Sequence, residues 1–324
     1  MNRLKAYRDL EGITQAELGD ILSISPQMVS AIESGLRSYA GSLQPIGYRD
    51  DRLLLPSMSE PLHRQKMSTG TASRNRAKEL LRLAGEVFIE LSTRTHRAPN
   101  TRLERTALLE SLDDVEDAAN DVRSVLDHES TGPIHNLTAA VERAGVCLIP
   151  IVGLSGISGL SSWVNGVPVI GLATGVPGDR FRYTLAHELG HLLMHSRYTD
   201  IAEGQANQFA GTLLYPRTEF DAAMSERPQL RDFVALKSTW GVSVAALIYR
   251  AHELDHIDDV RYRALQIQMS KWRRHEPGSF EAAYGTLLSR LVEVNGGVAK
   301  VSDDLGFNRR HLTDLVNWTH LRVA

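Results

Sequence analysis

Residues 187–191 read His-Glu-Leu-Gly-His. Side chains four apart on an α-helix lie on one face, one turn above the other. His187 and His191 can therefore aim two imidazoles at a single metal ion, with Glu188 beside them as a base for a water molecule. Catalytic zinc takes three protein ligands and leaves a fourth position open, so one more ligand is required. His195 is excluded, because on a straight helix it lies about 12 Å along the axis from His187. The following stretch, Ala-Glu-Gly-Gln-Ala-Asn-Gln-Phe-Ala over 202–210, is otherwise poor in charge and places Glu203 and Asn207 on one helix face. Asp200, just ahead of it, is the alternative acid.

These side chains need two packed helices to hold them. Phe181, Leu185, Leu189, Leu192 and Leu193 supply a buried face to the first, and Pro177-Gly178-Asp179 a turn and N-cap before it. Phe209, Leu213 and Leu214 point inward from the second, which Pro216 ends. Upstream, residues 136–144 are helical, and 146–152, 156–164 and 168–174 read as strands. The last two strands are joined at Asn165-Gly166, a hairpin dipeptide.

The run RFRYTLAHELGHLLMH, followed by EGQANQFAGTLLYP, resembles the ImmA/IrrE family of zinc metallopeptidases, whose pattern is HExxH and then E-x-x-A-N-x-F-A-x-x-L-L-x-P. The resemblance spans roughly residues 130–275. It implies a zincin-like fold, with His187, His191 and Glu203 as zinc ligands and Glu188 as catalytic base. It also implies an intracellular regulatory protease that cuts a helix-turn-helix repressor or an antitoxin. Zinc would bring the pKa of its water toward about 7; manganese is the alternative ion. Each imidazole needs an acceptor on its second nitrogen, for which Asn207 and Asp200 are the candidates. Tyr215, Tyr249, His252 and His256 are candidate oxyanion donors, and nothing in their spacing selects among them. Zincins bind extended peptide along a sheet edge, but the sequence does not say which strand is the edge.

A second signature occupies residues 1–36. Leu18, Leu22, Ile24, Val29 and Ile32 fall where a helix-turn-helix needs apolar contacts, Gly19 where its helices touch, and Ser25-Pro26 at the start of the second helix. The segment GITQAELGDILSISPQMVSAIESG resembles the XRE (Cro/C1-type) repressor family. That resemblance implies Gln15 near phosphate and Gln27, Met28 and Ser30 at base edges. Two features depart from the family. Helix 1 is short, and no closing helices are legible after Gly35, so the unit reads as truncated or rearranged; residues 1–36 also carry no excess of bases. Near the C-terminus, residues 298–316 repeat the two-helix pattern, with Arg309-Arg310-His311 opening the second helix; these side chains suit phosphate or guanine contact, and the alternative is a packing hairpin that seals the domain.

Net charge is −3, so DNA contact must come from local patches. The lone Cys147 rules out an intrachain disulfide and a cysteine-zinc cluster. With no apolar leader or spanning stretch, the expected setting is cytoplasmic, with no membrane partner. The expected fold is α+β and mostly helical. Four regions follow in order: a truncated helix-turn-helix (1–61), a helical linker region with a basic start at 63–66 and 74–78 (62–130), a peptidase domain with a small three-stranded sheet (131–277), and a C-terminal helical unit (278–324). The expected function is cleavage of a protein partner. The alternative is a DNA-binding regulator whose peptidase domain senses a signal or is inactive.

Overall fold

The computed structural model describes residues 2–61, 70–95, 101–106, 111–126, 131–154, 156–197, 199–272, 276–278 and 280–318. The chain is α+β and mostly helical, with one small sheet. In order, its elements are α1 (Arg3–Glu11), α2 (Gln15–Leu22), α3 (Pro26–Glu33), α4 (Thr71–Arg94), α5 (Leu112–Val125), α6 (Leu137–Arg143), β1 (Cys147–Ile151), β2 (Gly159–Val164), β3 (Val167–Ala173), α7 (Gly178–Met194), α8 (Ala202–Leu214), α9 (Arg217–Ala223), α10 (Leu230–Trp240), α11 (Val244–Glu253), α12 (Asp259–Met269), α13 (Leu287–Val294), α14 (Gly297–Leu305) and α15 (Arg309–Val316). Among the described residues, no helix is long and apolar enough to cross a membrane.

Contacts divide the chain differently from its linear order. One compact unit comprises Met1–Thr101, Gly145–Thr174 and Gly285–Ala324, and the other Arg102–Ala144 and Gly175–Tyr284. The two divisions differ at α4, which the sequence places in a linker region and which shares the core of the first unit.

In the first unit the sheet order is β1-β3-β2, with β1 parallel and β2 antiparallel to the central β3. The β2–β3 turn is Asn165-Gly166, at φ 48° and 83°, the positive pair that a type I′ hairpin requires. The outer edge of β2 is partly taken: Ser59 N donates to Trp163 O (2.9 Å) and Asn165 N to Ser57 O (2.8 Å). α4 packs across all three strands. Gly85 permits the close approach, since a Cβ there would meet Val164 at 2.5 Å. Several charged residues of α4 are buried, among them Glu79, Arg82 and Glu86. Glu86 is buried and accepts from Arg3 (2.6 Å) and Arg52 (3.4 Å), so its burial is compensated by two guanidinium groups. The expected basic stretch at 63–66 lies outside the described residues.

The helix-turn-helix itself is built as expected. Thr14 and Glu17 form a capping box before α2, and Ser25 caps α3 with Pro26 at its first position. A Cβ at Gly19 would meet the Ile24 carbonyl at 2.6 Å, so glycine sits where the turn closes. The unit is rearranged and not truncated: the closing elements come from elsewhere in the chain. Leu4, Leu10, Leu18 and Val29 share one core with Leu43, Ile46 and Tyr48, with α4, and with Leu312 and Leu315 of α15. Tyr48 Oη is hydrogen-bonded to His311 Nδ1 (2.7 Å), and His311 Nε2 to Glu11 (2.8 Å), tying α1 to α15. Residues 1–36 excised alone lose these partners and are expected to lack a cooperative thermal transition by circular dichroism and to bind DNA weakly. A sharp melt together with tight, sequence-specific binding would overturn this.

The second unit centres on α7 and α8. α5 packs on α8, and α10 and α12 pack on α11. A Cβ at Gly190 would meet the Phe209 ring at 2.9 Å, so the glycine inside His-Glu-Leu-Gly-His sets how near α8 can come. Arg123, fully buried on α5, donates to the Leu213 carbonyl at the end of α8 and to the Gly132 carbonyl, both at 2.6 Å. Pro177, not Asp179, occupies the N-cap of α7, and no side chain caps it. Asp179 instead lies in the first turn, where the helix dipole favours an acid. There it meets the buried Lys237 at 2.7 Å, which also pairs with Glu276 at 2.6 Å.

Candidate metal centre

His187 and His191 stand one turn apart on α7, and Glu203 reaches them from the first turn of α8. His187 Nε2 is 3.7 Å from Glu203 Oε2, and His191 Nε2 is 3.5 Å from Glu203 Oε1. The three ligand atoms lie within 4.8 Å of one another. Atoms each about 2 Å from a shared zinc lie roughly 3–4 Å apart, a range that the two separations from Glu203 match. The chemistry of the donors agrees with the spacing. His191 Nε2 is buried and makes no hydrogen bond, a state that native interiors rarely leave without a reason, and a metal ion supplies one.

The other ring nitrogens are engaged. His187 Nδ1 lies 2.9 Å from Asn207 Oδ1, and the Asn207 backbone carbonyl accepts from Tyr183 Oη at 3.2 Å. His191 Nδ1 meets His195 Nδ1 at 3.1 Å, and His195 Nε2 meets Gln205 Oε1 at 3.0 Å. Burial, and next the neighbouring His191, holds the His187 pKa well below the ordinary imidazole range. Burial also lowers that of His195. Both rings are therefore neutral near pH 7, and neutral imidazole is the form that ligates. Glu188 is buried on the same helix, next to the first ligand.

Asn207 thus meets an imidazole, as expected, whereas Asp200 is exposed and the partner of His191 is His195. His195 does not join the ligand cluster, but it has a place beside it that the axial-distance argument did not weigh. The signal was present: His191 and His195 are themselves four apart. The helix ends at Met194, and the extended backbone of His195 turns its ring back.

A groove of about 1130 Å³ adjoins the centre, lined by Tyr183, Asn207, Tyr249, Tyr262, Trp272 and Phe280 among others. Of the four candidate oxyanion donors, Tyr249 lines this groove and is partly exposed. Tyr215 is buried and stacked on Trp240 at 3.9 Å between centroids, and burial pushes its pKa up to about 12. His252 and His256 are held by Asp259 (2.8 Å) and Asp221 (2.7 Å).

In the first unit, Gln27 and Ser30 on α3 are exposed and Met28 is half-buried, while the Gln15 amide donates to Glu33 at 2.9 Å. Arg309 is exposed, and Arg310 is exposed but bonded to Glu11 at 2.9 Å. His311 is buried against α1, as the packing-hairpin alternative requires and not as a groove contact.

Comparison with known proteins bears on both units. Residues 142–252 match a peptidase family model described as the IrrE N-terminal-like domain, and residues 4–39 match one described as helix-turn-helix. No curated protein matches the chain. The segment holding His187, Glu188, His191 and Glu203 is thus similar to the IrrE N-terminal-like peptidase domain, and the segment holding α1–α3 to the helix-turn-helix family.

Proposed function

We propose that this chain is a zinc-dependent metallo-endopeptidase that cuts a protein partner, a helix-turn-helix repressor or an antitoxin, in the cytoplasm. The observation that carries the reading is the convergence of His187, His191 and Glu203 beside the buried Glu188. These three side chains would hold zinc, with manganese as the alternative. A metal bound there supplies Lewis acidity toward the scissile carbonyl and a water molecule. Glu188 takes a proton from the attacking water and returns it to the leaving amine. Asn207 keeps the His187 ring in place through Nδ1. The aromatic groove receives the peptide and shields the reacting bond from bulk solvent.

Tyr249 is the proposed hydroxyl donor to the developing oxyanion. In Tyr249→Phe, kcat is expected to fall by about 10²-fold with zinc content unchanged, while an unaltered kcat would remove Tyr249 from the reaction. The function itself is tested by co-expressing the protein with the helix-turn-helix protein encoded beside it and searching for fragments by intact-mass spectrometry.

One observation favours a second reading. Gln27 and Ser30 at the exposed start of α3 suit a DNA-binding regulator. In that case full-length protein shifts operator DNA, Gln27→Ala weakens the shift, and no partner is cut.

A further inference from the structure

We propose that His195 and Gln205 form a relay that fixes His191 as the tautomer protonated at Nδ1, so that its Nε2 lone pair faces Glu203 and the metal position. This rests on the metal-site reading above. The chain of contacts runs from Gln205 Oε1 to His195 Nε2 (3.0 Å) and from His195 Nδ1 to His191 Nδ1 (3.1 Å). Such a chain has two polarities. In one, His195 donates to the Gln205 oxygen, which leaves its Nδ1 to accept from His191. In the other every donor is reversed, and His191 carries its proton on Nε2, where it cannot ligate.

Three observations select the first polarity. Gln205 presents its oxygen, an acceptor, to His195. His191 Nε2 is buried without a hydrogen bond and faces Glu203 Oε1 at 3.5 Å, the placement of a lone pair turned toward the metal position. The other ligand ring is held in the same sense, with His187 Nδ1 donating to the Asn207 amide oxygen. α8 thus orients both imidazoles through amide oxygens, once directly from Asn207 and once from Gln205 through His195. Neither amide adds charge, so ring orientation is set without putting a second carboxylate beside Glu203. His195 and Gln205 are positioning residues: they act through His191 and touch no reacting atom.

The test uses the full chain, metal-free, with ¹⁵N-labelled histidine. Long-range ¹H–¹⁵N correlation spectra report the His191 tautomer, assigned by its loss in His191→Asn. The expected wild-type state is protonated at Nδ1. In His195→Phe the tautomer becomes mixed, and zinc affinity measured by chelator competition falls about 10–100-fold. His195→Asn, which places an amide oxygen near the former Nδ1, restores most of both. Gln205→Leu leaves the site packing intact and should shift the tautomer in the same direction, so it carries the test if His195→Phe does not fold. A His191 protonated at Nε2 in wild type overturns the relay, as does unchanged zinc affinity in His195→Phe or Gln205→Leu. A wild-type chain that shows the Nδ1-protonated ring but binds no zinc sinks the peptidase reading and leaves the relay standing.

Discussion

Glu188→Gln should keep its fold and its zinc and lose partner cleavage by about 10²–10⁴-fold. Glu188 lies outside the ligand cluster of His187, His191 and Glu203, so an isosteric amide leaves all three ligand atoms in place. An amide cannot take a proton from water near neutral pH, and no step can then deliver one to the leaving amine. In cells, a loss of that size in a regulatory protease reads as inactivity. The variant should also retain its substrate, which makes it suited to recovering the partner by affinity capture. Metal content by plasma mass spectrometry and cleavage by intact mass give the two readouts. Near wild-type cleavage by Glu188→Gln would falsify the role of base. A wild-type chain that regulates normally yet never cuts any partner would favour the DNA-binding regulator instead.

The second large effect concerns Glu203→Ala. The two imidazole Nε2 atoms lie 3.5 and 3.7 Å from its carboxylate oxygens, and this acid supplies the charged ligand of the set. Its removal leaves two neutral nitrogens, fewer protein ligands than a catalytic zinc site uses. Zinc affinity should fall by more than the 10–100-fold that a change behind the ligands produces, with loss of stoichiometric metal after dialysis. Thermal stability of the metal-free protein should change little, because Glu203 sits in the first turn of α8 with its side chain partly exposed. Wild-type affinity in this variant would place the third ligand elsewhere, with Asp200 the next residue to substitute.

The pairing of His187 with His191 was legible from helical periodicity, whereas Glu203 was one of two candidate acids, singled out by the family resemblance. What periodicity does not carry is the distance between helices. Nothing in the spacing of Gly190 announces that a Cβ there would strike Phe209, or that Gly85 serves the same purpose between α4 and β2. The contact between His191 and His195 needed a helix end at Met194, and helix ends are the least certain part of a pattern. In the helix-turn-helix segment, the apolar positions of α2 and α3 were readable, while their cover was not, since Tyr48 and His311 are 263 residues apart. The C-terminal helix pair shows the converse limit. Its apolar spacing was correct, but spacing does not say whether the first side chains of α15 face solvent or α1, and His311 faces α1.

The contact between Glu11 and His311 bridges 300 residues of sequence. A ribosome adding about 5–20 residues per second needs roughly 15–60 s to go from one to the other. For that time α1–α3 have been made without α15 to complete their core, and isolated helices of their length are marginal in water. The helix-turn-helix is therefore among the first segments translated and among the last to become stable. Closing a loop this long also makes its formation slow compared with local helix pairing in the second unit. A nascent chain therefore lacks the finished core of its helix-turn-helix until translation has passed α7 and α8 and reached α15.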